Sequence, residues 1–153
     1  MSRSSLPPAD AGRSPLLPGA TLGVLGGGQL GAMFASAARR MGYRVEAVVE
    51  QADCPAARHC DQIHVGLLEH PGRLVDLGRR FAAVTYEFEN VPVDAARALA
   101  AVVPVRPGPE VLFTTQDRGR EKAFLVAHGL PCAPHGLWIL SWSTARMPVQ
   151  ARG

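Results

Sequence analysis

Thr21-Leu-Gly-Val-Leu25 runs directly into Gly26-Gly-Gly-Gln-Leu-Gly31, and the reading of this stretch decides the fold. A short apolar run closed by glycines is the pattern of a buried parallel strand. The next segment is helical. Leu30, Met33, Phe34, Ala37 and Met41 recur at helical spacing over residues 29–41, and Gly42 stands where a C-terminal capping glycine belongs. The glycines therefore form a G-x-G-x-x-G between a strand and a helix. Such a loop turns tightly and lets the backbone approach an anion, which free N–H groups and the helix dipole then hold. The spacing fits a phosphate or carboxylate site. It also fits a tight strand-to-helix turn that needs glycine for its backbone angles alone.

Further along, the same alternation repeats. Residues 44–49 and 63–65 read as strands, 71–81 as a helix opened by proline, and 83–86 as a fourth strand. A second proline-opened helix is expected over 92–101, a fifth strand over 102–105 and a further helix over 117–128. Strands alternating with helices predict an α/β fold with a parallel sheet flanked by helices. There is no internal repeat.

Composition bounds the function. The 153 residues include 47% hydrophobic and 19% charged residues, the balance of a single globular domain. The net charge of +3 comes from scattered basic residues with no aromatic interleaving, so nucleic acid is not an expected partner. No apolar run approaches the roughly 20 residues of a membrane helix. Three cysteines, Cys54, Cys60 and Cys132, form no CxxC pair, which points to a reduced, cytoplasmic setting. Residues 1–20, rich in Ser and Pro near the start, read as a flexible N-terminal extension. Residues 136–153 hold Trp138 and Trp142 but no acid, and they break the alternation. They read as a divergent, non-native tail.

Several residues could carry chemistry. Glu50 ends the second strand, 19 residues after Gly31 by their numbers, where a dinucleotide-binding fold places its ribose-binding acid. A NAD(P)-binding domain is therefore a rival reading. In Val84-Thr-Tyr-Glu-Phe-Glu-Asn-Val-Pro92 a buried strand runs into two acids one residue apart. Extended backbone would point Glu87 and Glu89 to one side, beyond the strand ends and near the glycine loop. There they could receive a substrate amine or hydroxyls, or they and Asn90 could simply form a solvated loop capping the next helix. Arg118 and Lys122 would share a helix face and could meet a phosphate, or Asp117 could cap an ordinary charged helix. His59, Cys60 and His64 match no established zinc spacing, and no metal site is expected.

The ordered set of Gly26-Gly-Gly-Gln-Leu-Gly31, Thr85-Tyr-Glu-Phe-Glu-Asn-Val-Pro92, Val105-Arg-Pro-Gly-Pro109, Gln116-Asp-Arg-Gly-Arg-Glu-Lys-Ala-Phe-Leu125 and Gly129-Leu-Pro-Cys-Ala-Pro134 resembles the 5-(carboxyamino)imidazole ribonucleotide synthases. These are ATP-grasp ligases of purine biosynthesis, and the resemblance covers residues 21–135. It implies a Rossmann-like pre-ATP-grasp domain over 21–117 and the start of the ATP-grasp region over 118–135. It implies that Gly28, Gln29 and Leu30 approach the ribonucleotide, that Glu87 receives its polar groups and that Arg118 contacts ATP. The family joins bicarbonate to 5-aminoimidazole ribonucleotide with ATP and Mg²⁺, and pairs two copies through this domain. Its lid, nucleotide lysine and acidic magnesium ligands have no counterpart here, so no catalytic residue or metal ligand is assigned to this chain. The chain is expected to form the ribonucleotide side of the site and to be inactive alone. A catalytically inactive folding or interaction module is the remaining alternative. Gly119 replaces a leucine common in the family, at up to about 1 kcal/mol of helix stability.

Overall fold

The computed structural model describes residues 14–133. Its centre is a four-stranded sheet of β1 (Thr21–Leu25), β2 (Arg44–Val49), β3 (Gln62–Val65) and β4 (Ala83–Tyr86), in the order β3-β2-β1-β4. Every pair is parallel: Leu25 lies opposite Val48 on one side and Tyr86 on the other. The helices are α1 (Gln29–Arg40), α2 (Pro71–Gly78), α3 (Val93–Ala100), α4 (Pro109–Thr115) and α5 (Arg118–Ala127).

Side chains alternate across a strand, and this sheet is covered on both faces, so its central strands are apolar almost throughout. On one face Val24, Val45, Ala47 and Val49 pack with Ala35 and Ala38 of α1. On the other, Leu25, Val48 and Val84 pack with Leu74 and Leu77 of α2, Ala95, Ala96 and Leu99 of α3, and Leu112 of α4. The small residues of α1 bring that helix close to the sheet. Its larger apolar residues Leu30 and Met33, and Met41 at its C-cap, are instead exposed.

Glu46 interrupts the apolar run of β2, at 7% exposure. It is tolerated because both oxygens are paired, Oε2 with His64 Nε2 at 2.8 Å and Oε1 with Arg80 at 3.2 Å. A buried carboxylate without partners would be costly. His64, one of the weighed metal candidates, is thus committed to Glu46.

Three expectations need correction. The fifth strand is a single parallel bridge, Val84 to Val105, made by Val84 N–H to Pro104 O and Arg106 N–H to Val84 O. Pro104 lacks the N–H that the preceding rung of a longer ladder would need. Helix α4 was not expected, although Pro109 at its first position is a start signal. Its seven residues are too few to show a helical period. Finally, the described part of the N-terminal extension is tied to the α1–β2 turn: Tyr43 donates to Leu16 O at 2.8 Å and Gly19 N–H to Gly42 O at 2.7 Å. The expected tail, 136–153, lies outside the described residues.

Leu99 is fully buried where α3 meets α2 and the sheet. Leu99→Ala should lower unfolding stability by about 2–5 kcal/mol, measured by urea denaturation.

Candidate functional site

The glycine loop leaves the carboxyl end of β1, and residues 87–91 leave the end of β4 beside it. The Glu87 N–H donates to Leu25 O at 3.1 Å, which continues the sheet pairing one step further and aims the side chain across the loop. Gly28 N–H then donates to Glu87 Oε1 at 2.5 Å, and Gly31 N–H donates to Oε2 at 2.5 Å. These are the N-cap and third residues of α1, and α1 has no side-chain cap of its own. One carboxylate from 59 residues away satisfies two donors that the helix start leaves free, and its charge lies at the positive end of the helix dipole.

The glycines are needed for this approach. Gly26 has φ +118, a left-handed conformation that side chains rarely adopt. A Cβ on Gly28 would come within 2.8 Å of Glu87 Oε1. The loop is thus an anion cradle, as its spacing allowed, and its anion is the protein's own Glu87.

Next to this bridge lies a cleft of about 320 Å³, lined among others by Glu50, Asp53, Cys54, Leu68, Glu87 and Phe88. Three carboxylates line it, and no Lys, Arg or His among the described residues does. A carboxylate offers about four lone-pair sites, of which the loop engages two on Glu87. The cleft is therefore rich in acceptors and suited to a ligand that brings hydroxyls or amines.

The expected site residues are distributed unevenly around it. Gly28, Glu87 and Glu50 line the cleft. Gln29 lies on an adjoining cavity of about 350 Å³ with Arg58 and His59. Leu30 is 62% exposed and does not line the cleft. Glu89 does not join Glu87: the chain bends at 87–88 and turns at 89–90, so the two-residue alternation of a strand is lost. Helix α3 starts at Val93 after Pro92 as N-cap, without a side-chain cap from Glu89 or Asn90. Arg118 is 82% exposed on its side chain and pairs with Glu121. It too lies off the cleft, while Asp117 caps α5 by accepting from Arg120 N–H at 2.8 Å. Asp53, Cys54, Leu68 and Phe88 carried no local signal, because the meeting of loops distant in sequence is what places them.

A dinucleotide would need the loop N–H groups for its pyrophosphate. Glu87 already holds two of them and would repel that anion. Among the described residues no group of three His, Cys, Asp or Glu is placed to hold a metal. Burial, with Cys54 and Asp61 adding to it, pushes the Cys60 thiol up from 9.0 to about 11.

A family model described as the ribonucleotide synthetase preATP-grasp domain matches residues 19–116. The chain belongs to this family. Among its relatives, the N5-carboxyaminoimidazole ribonucleotide synthase of Brucella melitensis is 45% identical over 122 residues, which are 80% of this chain and 34% of that protein. The crystal structure of the N5-carboxyaminoimidazole synthetase of Staphylococcus aureus complexed with ADP is 34% identical with a TM-score of 0.71, over 74% of this chain and 31% of that one. The N5-carboxyaminoimidazole ribonucleotide synthetase of Thermus thermophilus is 40% identical with a TM-score of 0.68, over 72% and 30%. The chain thus spans about a third of the length of the relatives it matches. The pre-ATP-grasp fold expected from the sequence is the fold observed.

The bridge and the half-buried Cys60 thiol each have a measurable consequence. Glu87→Gln preserves shape but turns one acceptor into a donor facing an N–H, and should cost about 1.5–3 kcal/mol in urea unfolding. At pH 8 a thiol raised by about two units holds roughly a hundredfold less thiolate. Alkylation of Cys60 by iodoacetamide should accordingly be at least about tenfold slower in the folded chain than in urea.

Proposed function

We propose that this pre-ATP-grasp domain forms the ribonucleotide side of a ligase site that carboxylates 5-aminoimidazole ribonucleotide with bicarbonate and ATP in purine biosynthesis. The observation that carries the proposal is the Glu87 bridge. It consumes the loop donors a phosphate would use and turns acceptor oxygens toward a small acidic cleft. A ribonucleotide presents hydroxyls and an exocyclic amine, the donors such a cleft selects. The relatives named for the same ribonucleotide chemistry support the reading.

In this reading Glu87 is held by Gly28 and Gly31 and accepts from the ribonucleotide with its free lone pairs. Gly28, with Gln29 and Leu30 at the rim, forms the loop against which the ligand lies. The ATP and Mg²⁺ the family uses would add phosphoryl-transfer chemistry, which needs cations and metal around the transferring group. In this reading Arg118, exposed and paired with Glu121, contacts ATP, and since the described residues hold no metal-ligand cluster, no step of that chemistry is assigned to them. A cytoplasmic location and the pairing of two copies belong to the same proposal.

Titration calorimetry tests the reading. The 153-residue chain should bind 5-aminoimidazole ribonucleotide, and Glu87→Ala should weaken it at least about tenfold. NADH should give no heat, and ATP should show no turnover with or without the ribonucleotide. Binding of NADH in place of the ribonucleotide would contradict the proposal.

A further inference from the structure

Gln116 is the C-cap of α4, far along the chain from the cleft, yet its side chain reaches the loop that carries Glu87. Its Nε2 donates to Glu89 O at 2.5 Å and to Val91 O at 2.7 Å. A side-chain amide nitrogen has two N–H donors, and here both have carbonyl acceptors. Both partners accept, so a donor is required at this position, and no carboxylate could replace it.

The two carbonyls bracket the turn at residues 89–90. At the near end of this turn stands Glu87, and at the far end Val91 is fully buried. The turn's own residues Glu89 and Asn90 are exposed, so packing does not hold them. Gln116 does so instead. The residue after it, Asp117, caps α5 through Arg120 N–H. The Arg120 guanidinium in turn lies 3.8 Å from the ring centre of Phe113 on α4. The α4–α5 junction is thereby fastened in three directions: to the acidic loop, to the start of α5 and to α4 itself.

We propose that Gln116 is a positioning residue for Glu87: it fixes the 89–91 turn so that the carboxylate meets Gly28 and Gly31, and it links that carboxylate to the junction at which α5 begins. The inference rests on the cleft being the ribonucleotide side only for its effect on ligand binding. The positioning itself is a property of the unliganded chain.

The test is amide hydrogen exchange of the ¹⁵N-labelled 153-residue chain, read by NMR, in Gln116→Ala and the isosteric Gln116→Glu. Gly28 and Gly31 should exchange at least about tenfold faster in both variants, approaching the rates in Glu87→Gln, while Val24 and Val48 in the sheet keep their protection. Unchanged protection at Gly28 and Gly31 in either folded variant would overturn the proposal. So would an equal loss at all four positions, which would mark Gln116 as a general stabiliser. Ribonucleotide titration of the same variants separates the two readings. Weaker binding in step with faster exchange supports both. If the unmodified chain binds no ribonucleotide, the cleft reading fails and the exchange rates still decide the role of Gln116.

Discussion

The structure around the cleft depends on one carboxylate lying between two backbone N–H groups. A helix entered through three glycines has no side chain to cap its first turn; backbone bonds from Gly26 N–H to Val48 O and from Ala56 N–H to Gly27 O hold the loop itself. Glu87 supplies the missing cap from just beyond the neighbouring strand. Its oxygens satisfy Gly28 and Gly31, and its charge complements the positive end of α1. The bridge ties the loop after β4 to the loop before α1, and residues of both loops line the cleft. Removal of the carboxylate would free the loop donors to take an external anion, a different specificity from the same backbone.

This arrangement separates the domain from a dinucleotide-binding fold with which it shares its strand–glycine–helix start. There the loop donors face a pyrophosphate, and the acid at the end of the second strand faces a ribose. Here the loop donors are satisfied internally, and Glu50, Asp53 and Glu87 leave the cleft acidic. Phosphates are disfavoured against these walls, and groups with N–H or O–H to donate are favoured. Under the proposed function, such chemistry suits the sugar or base end of the ribonucleotide.

Most of the fold could be read from local pattern, because each central strand is apolar on both faces and each early helix carries its own boundary signals. Thr21–Leu25, the extent of α1 and Gly42 as its terminator are cases where the pattern and the structure agree, whereas the buried face of α1 is Gly31, Ala32, Ala35 and Ala38 rather than the stripe of Leu30, Met33 and Met41. The failures arise where non-local pairing decides. Val102–Val105 has the composition of a strand, yet one bridge to Val84 is all that forms beside the prolines. That Glu87 would stand near the glycine loop was legible from its place after a buried strand. Its partners were not, since they lie 56 and 59 residues earlier and no local spacing records that contact. The pairing of Glu87 with Glu89 assumed a chain extended through residue 89, whereas the strand ends at Tyr86. Gln116 stands within a recognisable motif, but its role depends on where the 89–91 turn comes to rest.

The most direct test of the internal bridge is a through-hydrogen-bond NMR experiment that correlates the amide nitrogens of Gly28 and Gly31 with the Glu87 carboxylate carbon. Cross-peaks from both glycines to Glu87 are predicted. Their absence, with rapid solvent exchange at both amides, would show that the loop is open and would contradict the bridge on which the site is built.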